Sequence, residues 1–189
     1  MILGKKSRMN RELRNTVRRE LIEDALSWLK IVFSVLLFML ILINFVVVNA
    51  VVHHFSMENT LSDGDRIVSF RLAYLFNEPS PYDIIVFNRP PEDTLYIKRI
   101  IGRPGDEVRI VNGNVYVNDT LTRKDFVNGI PIGNFGPVTV PEGHFFVLGD
   151  NRNNSIDSRH WPKTFVSGEH VLGRAVFRYF PRIRFIFNW

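Results

Sequence analysis

Residues 95–106 read LYIKRIIGRPGD, and this stretch decides the class of fold. β-Branched and aromatic side chains dominate its first seven residues, which is typical of a β-strand. The strand is predicted to end at the turn 103–106, because proline fixes φ and glycine allows the positive φ of a tight turn. Strand alternation places Lys98 and Arg99 on opposite faces, so one of these two adjacent cations is expected to point into a core.

The same pattern recurs on both sides of this stretch. Further strands are predicted at residues 66–70, 83–87, 108–111, 114–117, 144–148 and 173–179. Asn112-Gly113 lies between two of them and is a strong β-hairpin signal. Residues 118–139, rich in Gly, Asn and Pro, are predicted to be an insertion or small subdomain with short strands of its own. We therefore predict a mainly β fold, with an antiparallel, barrel-like or sandwich-like domain.

Residues 31–52 are a long apolar run whose polar members are Ser34, Asn44 and Asn49. A helix of about 18 residues spans roughly 27 Å, close to the hydrocarbon thickness of a bilayer. The run shows no polar face, which a helix on the core of a soluble protein would normally have. The sequence therefore predicts one N-terminal transmembrane helix over residues 31–52.

The net charge of +5 is concentrated towards the two ends of the chain. Basic residues that flank a spanning helix stay on the cytoplasmic side. We expect a single-pass protein of the cell membrane, with a basic cytoplasmic segment at 1–30 and a β-rich domain outside the cytoplasm at 53–189. Contact of the basic segment with anionic lipid is also expected. Nucleic acid is not a predicted partner, since no recognised binding motif accompanies the charge.

A cleaved secretory signal peptide is an alternative interpretation of the N-terminal run, with a small-residue cleavage site at Val48-Asn49-Ala50. The run is longer than the apolar core of most signal peptides, which favours an uncleaved anchor. If the chain is a peptidase, Ala50 marks a hypothetical point of self-cleavage.

Two polar residues could form a catalytic pair in this background. The chain has no cysteine, which excludes disulfides, a thiol nucleophile and thiolate metal sites. Lys98 in a buried strand could lose its proton and act as a base, whereas Arg99 cannot and belongs outside or in an ion pair. Ser56, just after the apolar run, needs such a base to become a nucleophile. The alternative for Lys98 is a side chain that reaches solvent along the strand.

A polar loop at residues 149–159 is the third candidate feature. Solvated turn residues would explain it, but its donors and acceptors could also form a fixed network. Asp157 and Arg159 could pair across a bend, and Ser155 could hold an amine by a hydrogen bond. Such a loop would keep a catalytic base in place.

Together these features resemble the type I signal peptidase family, the serine proteases that remove signal peptides from exported proteins. The resemblance covers roughly residues 20–180 and rests on three motifs. They are Ser56-Met57 with Thr60-Leu61, then Lys98-Arg99 with Gly102 and Pro104-Gly105-Asp106, and finally 149–155 with Asp157-Ser158-Arg159.

The resemblance implies a Ser-Lys dyad. Ser56 would attack the scissile carbonyl, Lys98 would take its proton, and Ser155 would orient the lysine amine. The supporting residues would be Asp150, Asp157, Arg159 and Arg99. The family architecture implies two antiparallel sheet regions and a groove for small residues at the first and third positions before the cut. Signal-peptide-bearing preproteins are the implied partners, and no metal or organic cofactor is expected.

Two residues depart from the family pattern. Asn59 stands where the nucleophile motif usually has proline, and the loss of a fixed φ could loosen the turn. His54 stands where glycine or serine is common. The backbone N–H of Ser56 would then carry more of the oxyanion binding, unless His54 contributes.

Three rival functions remain open at this point. The chain could be a relative that cleaves itself or one dedicated partner, although the spanning helix argues against a cytosolic repressor. It could be a catalytically impaired, membrane-tethered assembly factor. It could also be a basic surface binder, which would leave the three motifs unexplained.

The final stretch combines arginines with the aromatics Phe177, Tyr179, Phe180, Phe185, Phe187 and Trp189. These side chains could press against lipid, as aromatic residues do at membrane interfaces. A final strand packed on the core with outward arginines is the alternative.

Overall fold

The structure is a computed structural model and describes residues 2–186. Within this range the chain forms one long helix, twelve β-strands and two short 3-10 helices. It divides into two compact units, with the boundary between Phe45 and Val46.

Helix α1 runs from Ile2 to Val46, and all of it except its last residue belongs to the first unit. Among the described residues, one segment is long and apolar enough to cross a membrane, and it covers Val17–Val46. The predicted end of the anchor at residue 52 is wrong, because residues 47–51 form a strand. Val48 and Ala50 are buried in that strand, and their partners in the neighbouring strand favour it over a longer helix. A continuous apolar run does not by itself distinguish these two outcomes.

The second unit consists of the strands and the 3-10 helices Arg71–Tyr74 and Gly168–His170. In chain order the strands are β1 (Val47–Val51), β2 (Arg66–Phe70), β3 (Ile84–Arg89), β4 (Glu92–Gly102), β5 (Glu107–Val111), β6 (Asn114–Val117), β7 (Thr120–Leu121), β8 (Phe135–Thr139), β9 (His144–Leu148), β10 (Val166–Ser167), β11 (Val171–Phe180) and β12 (Arg184–Phe185).

These strands form two antiparallel sheets. The large sheet has the order β1-β2-β11-β3-β4-β9-β10, and β12 pairs with β11. The small sheet has the order β7-β6-β5-β8, and two of its strands, β7 and β8, come from the 118–139 insertion. The prediction of a mainly β, antiparallel fold after one apolar helix is confirmed.

Apolar clusters cover both faces of the large sheet and the space beside the small sheet. On β4, Ile97 packs in one cluster with Met57, whereas Ile100 packs in another with Trp161. A third cluster joins β5 to β9. The expectation that only one of two adjacent cations would point inward is therefore too narrow. Both Lys98 and Arg99 are buried, at 5% and 3% exposure, because each face of their strand is covered.

The C-terminal hairpin combines packed and exposed aromatics. The rings of Phe177 and Phe185 lie 6.2 Å apart across the β11–β12 pair. Tyr179, Phe180 and Phe185 remain well exposed. The predicted contributions of residues 187 and 189 lie outside the described range.

Candidate active site

Ser56 lies in a tight turn that follows β1. The turn is closed by hydrogen bonds from the N–H groups of Thr60 and Leu61 to the carbonyl of Met57, at 3.0 and 2.8 Å. Met57 and Leu61 are buried in the core, which anchors the turn from below. The carbonyl of Ser56 accepts a hydrogen bond from the N–H of Asn151 at 3.0 Å. The nucleophile turn (residues 55–61) is thus joined to the polar loop (residues 149–159).

Lys98 reaches Ser56 from strand β4. The distance between Lys98 Nζ and Ser56 Oγ is 2.7 Å, within hydrogen-bond range. Burial lowers the pKa of Lys98 from 10.5 to about 8, although the carboxylates of Asp157 and Asp150 act in the opposite direction. A dry amine beside a hydroxyl is what a lysine base requires.

Arg99 points to the other face of β4 and connects the nucleophile turn to the polar loop. Its guanidinium binds Asp150 through two bonds, Nε to Oδ1 at 2.8 Å and Nη2 to Oδ2 at 2.6 Å. The same Asp150 accepts a hydrogen bond from the hydroxyl of Thr60 at 2.5 Å, and Arg99 stacks over the ring of Phe126. In this bidentate ion pair each buried charge has a partner of opposite sign, so neither Arg99 nor Asp150 is left as an unpaired charge in the core.

Asp157 and Arg159 form the second ion pair of the polar loop, as the sequence suggested. Two bonds of 2.8 Å join the guanidinium to the carboxylate. Asp157 also accepts the N–H of Gly149 at 3.0 Å. Burial acts to raise the pKa of Asp157, but the bonds and charge of Arg159 hold it below its usual value. The carboxylate is therefore charged at neutral pH and fixes the bend.

Ser155 does not make the predicted hydrogen bond to the lysine amine. Its Oγ is buried and acts on the Asp157 carboxylate, whose pKa it helps to lower, whereas Lys98 Nζ is directed at Ser56. Ser155 and the Ser56 carbonyl both crowd Gly149, where an added Cβ would lie 2.3 Å from Ser155 Oγ and 2.5 Å from the carbonyl oxygen. Glycine at 149 is therefore required for these two segments to meet.

Sequence reasoning missed a segment of the insertion that holds the site together. Asn128 forms a parallel bridge with the polar loop, through Asn128 N–H to the Asp150 carbonyl at 2.7 Å and Arg152 N–H to the Asn128 carbonyl at 2.8 Å. Asn59 Nδ2 donates to the carbonyl of Val127 at 3.1 Å. No short-range pattern in residues 126–128 signals this contact, because it joins positions distant in sequence.

The backbone conformation at position 59 accounts for asparagine where the family motif usually has proline. Its φ is +91°, a left-handed conformation that asparagine tolerates and proline, fixed near −65°, cannot adopt. Together with the bond to Val127, this conformation gives the turn a different support from the one that proline would supply.

A groove of about 790 Å³ opens beside Ser56 and Lys98. Ser155 and His54 also line it. His54 is exposed, with a φ of +70°, and its N–H donates to Asp63 Oδ1 at 2.8 Å. Among the described residues, no group of three or more acidic or histidine side chains could hold a metal ion.

Comparison with known proteins gives the family. The family described as "Signal peptidase, peptidase S26" matches residues 25–180 of the chain. The chain belongs to the peptidase S26 family. This confirms the resemblance drawn from the three motifs, and with the apolar helix it indicates a membrane-anchored protein.

Individual peptidase S26 relatives show how far the similarity extends. A probable signal peptidase I-2 of Synechocystis is 46% identical over 134 residues, which cover 67% of this chain and 60% of the relative. A signal peptidase I of Bacillus licheniformis is 31% identical over 164 residues, covering 82% of this chain and 88% of the relative. The crystal structure of a signal peptidase I from Enterococcus faecalis, 33% identical, matches 52% of this chain and 97% of its own, with a TM-score of 0.46.

Proposed function

We propose that this protein is a membrane-bound serine endopeptidase that removes signal peptides from exported preproteins. The observation that carries the proposal is the partly buried contact of 2.7 Å between Lys98 Nζ and Ser56 Oγ in a peptidase S26 chain. The relatives named above, which carry the name signal peptidase I, support the substrate class.

In the proposed reaction the neutral amine of Lys98 accepts the hydroxyl proton as Ser56 Oγ attacks the scissile carbonyl. The resulting ammonium gives that proton to the leaving amine, and an ester to Ser56 remains. The amine then takes a proton from water as the water oxygen attacks the ester. The ammonium returns a proton to Ser56 Oγ as the acyl bond breaks, and the acid released ionises to the new carboxylate. The backbone N–H of Ser56, with or without His54, would bind the oxyanion.

The supporting residues act on position rather than on the bonds that change. Arg99 and Asp150 hold the nucleophile turn against the polar loop, and Asp157 with Arg159 fixes the bend of that loop. Ser155 lines the same groove as Lys98, and its proposed role is to orient the amine.

The proposed topology has the N-terminus in the cytoplasm and the β unit outside it. Basic residues before the apolar segment support this orientation through the charge rule for spanning helices. Preproteins arriving at the outer face of the membrane would then meet the groove. Protease added outside right-side-out vesicles should digest the second unit, which contains the β-strands. If that unit is instead protected from the protease, the proposed orientation is wrong.

The function is tested by cleavage of a preprotein by the full chain in detergent. Ser56→Ala and Lys98→Ala should each abolish nearly all cleavage while the circular dichroism spectrum is unchanged. Lys98→Arg should fail as well, because a guanidinium stays protonated. Lys163→Ala, at an exposed lysine, is the matched control and should retain full activity. Cleavage retained by Ser56→Ala would overturn the mechanism.

A further inference from the structure

The network around the polar loop contains three guanidinium groups but only two carboxylates. Asp150 binds Arg99 through two bonds, and Asp157 binds Arg159 in the same way. Each carboxylate therefore already has a guanidinium partner. The third guanidinium, that of Arg152, forms no ion pair with a described carboxylate. One guanidinium of this network is thus left without a matching negative charge.

Arg152 is buried although its charge is unmatched. The residue is 2% exposed. Its Nε donates to the carbonyl of Gly149 at 3.1 Å, whereas its Nη2 is buried and has no hydrogen-bond partner among the described residues. Burial lowers the pKa of Arg152 to about 10, so the guanidinium still carries its charge at neutral pH. A buried charged donor without an acceptor is costly, which indicates that this side chain serves a ligand.

Arg152 lines a cavity of about 230 Å³ that lies where the 118–139 insertion meets the polar loop. The other lining residues include Val115 of β6, Lys124 and Gly129. We call this space the Arg152 cavity. None of the described residues that line it is acidic. Gly129 has a φ of +78° and no side chain, so its backbone borders the cavity directly.

Two further basic residues line the Arg152 cavity. Lys124 is exposed, and its Nζ donates to Asn114 Oδ1 at 2.6 Å, a bond to a neutral group. Arg123 bonds twice to Asp125, but the side chains of this pair are 39% and 53% exposed, and such surface pairs are weak. Three cations therefore border one small cavity, and concave sites lined by one sign of charge attract ions of the opposite sign.

We propose that the Arg152 cavity is a binding site for a small oxyanion of the phosphate or sulfate class, with Nη2 of Arg152 as its buried donor. Lys124 and Arg123 would supply the remaining charge. A guanidinium suits such a ligand, because its planar donors match the spacing of oxygens on phosphate. A doubly charged ion fits three cations better than a monocarboxylate does. The volume holds one such ion and a few water molecules, which excludes ligands of nucleotide size.

A bound oxyanion would join the insertion to the polar loop. The backbone N–H of Arg152 already donates to the carbonyl of Asn128 at 2.8 Å, so the two segments are adjacent. An ion held by Arg152 on one side and Lys124 on the other would add a second link. Because the ion would bind only the folded chain, it should also raise the melting temperature. The inference does not depend on the proposed reaction, so an inactive Ser56→Ala chain serves for its test.

The test is calorimetric titration of sodium sulfate into the full Ser56→Ala chain in an uncharged detergent, with chloride holding the ionic strength constant. One saturable site is expected, with a matching rise in melting temperature. Lys124→Gln should weaken sulfate binding several-fold. Lys163→Gln is the matched control, because it removes the same charge from an exposed lysine outside the cavity, and it should bind like the parent. Arg152→Gln should abolish binding, and circular dichroism verifies that each variant is folded.

The absence of saturable sulfate binding would overturn the proposal. Equal affinities for the Lys124→Gln and Lys163→Gln chains would overturn it too, because the binding would then lie elsewhere; this comparison decides even if the Arg152→Gln chain fails to fold. Titration with sodium acetate tests the class of ligand. Acetate that binds as tightly as sulfate would refute the assignment to the phosphate or sulfate class.

Discussion

The pH dependence of cleavage follows from the burial of Lys98. With its pKa lowered from 10.5 to about 8, the neutral amine is about 300-fold more abundant at pH 7 than for an ordinary lysine. About one chain in eleven carries the active base at pH 7, and about ten in eleven carry it at pH 9. The value of kcat/KM should therefore rise about tenfold between pH 7 and pH 9 and then reach a plateau.

The assay is initial-rate cleavage of a preprotein by the full chain in detergent, between pH 6 and pH 10. The value of kcat/KM reports groups that titrate in the free enzyme, so the midpoint belongs to the base and not to the bound complex. A second preprotein with no titratable residue near the cut controls for the substrate. A rate that is flat from pH 6 to pH 9 would refute the hypothesis that the base is a desolvated lysine. A rate that rises about tenfold per pH unit up to pH 10 would also refute it, because the base would then have the pKa of an ordinary lysine.

A charge change near the base gives the midpoint a predicted direction. Asp157 raises the pKa of Lys98, because its carboxylate stabilises the ammonium, and Arg159 lowers it. Asp157→Asn removes the negative charge and leaves the guanidinium, so the rising limb should move to lower pH. A limb that moves to higher pH would contradict the electrostatic account.

Substitutions at Asn59, Arg99 and Lys98 test further features of the site. Asn59→Pro should reduce kcat and the melting temperature, because proline cannot adopt the φ of +91°, whereas Asn59→Gly should lose only the bond to Val127. Arg99→Lys should lower the melting temperature and cleavage together, because one ammonium cannot replace the bidentate bond to Asp150. The loss should stay below the roughly 3–5 kcal/mol that removing a buried charged partner costs, because lysine keeps the positive charge. An unchanged melting temperature would contradict this. Lys98→Met should raise the melting temperature at pH 7. Because the pKa of Lys98 is lower in the folded state, the unfolded chain binds more protons between pH 8 and pH 10.5. The free energy of unfolding of the unsubstituted protein should therefore rise by roughly 3 kcal/mol over this pH range. Lys98→Met should lack this rise.

Much of the β unit could be predicted from local sequence. The strands predicted at 66–70 and 144–148 match β2 and β9, and the Asn112-Gly113 signal lies between β5 and β6 as expected. These segments are short, rich in β-branched and aromatic residues, and bounded by turn residues, so local preference and tertiary structure agree. The short strands expected in the insertion are also present as β7 and β8.

The remaining features depend on contacts between distant segments. The end of the apolar run forms β1 because its backbone groups pair with those of β2. No local pattern within residues 47–51 predicts a strand there rather than a longer helix. The bridge of Asn128 to the polar loop is of the same kind. The dyad itself came from the family motifs, since 42 positions separate Ser56 from Lys98 and no periodicity relates them.

The adjacency of Lys98 and Arg99 explains how the geometry of the dyad is kept. Strand alternation sends the base to one face of β4, against Ser56, and the brace to the other, where it binds Asp150 and Thr60. Ser56 and Thr60 lie towards opposite ends of the nucleophile turn. Lys98 contacts Ser56 and Arg99 contacts Thr60, so two adjacent residues of β4 fix both ends of the turn. Any movement of the turn that lengthens the distance of 2.7 Å between nucleophile and base must also strain the buried arginine pair. Weakening the brace should therefore impair cleavage and folding together, whereas replacing the base alone should abolish cleavage and leave the chain folded.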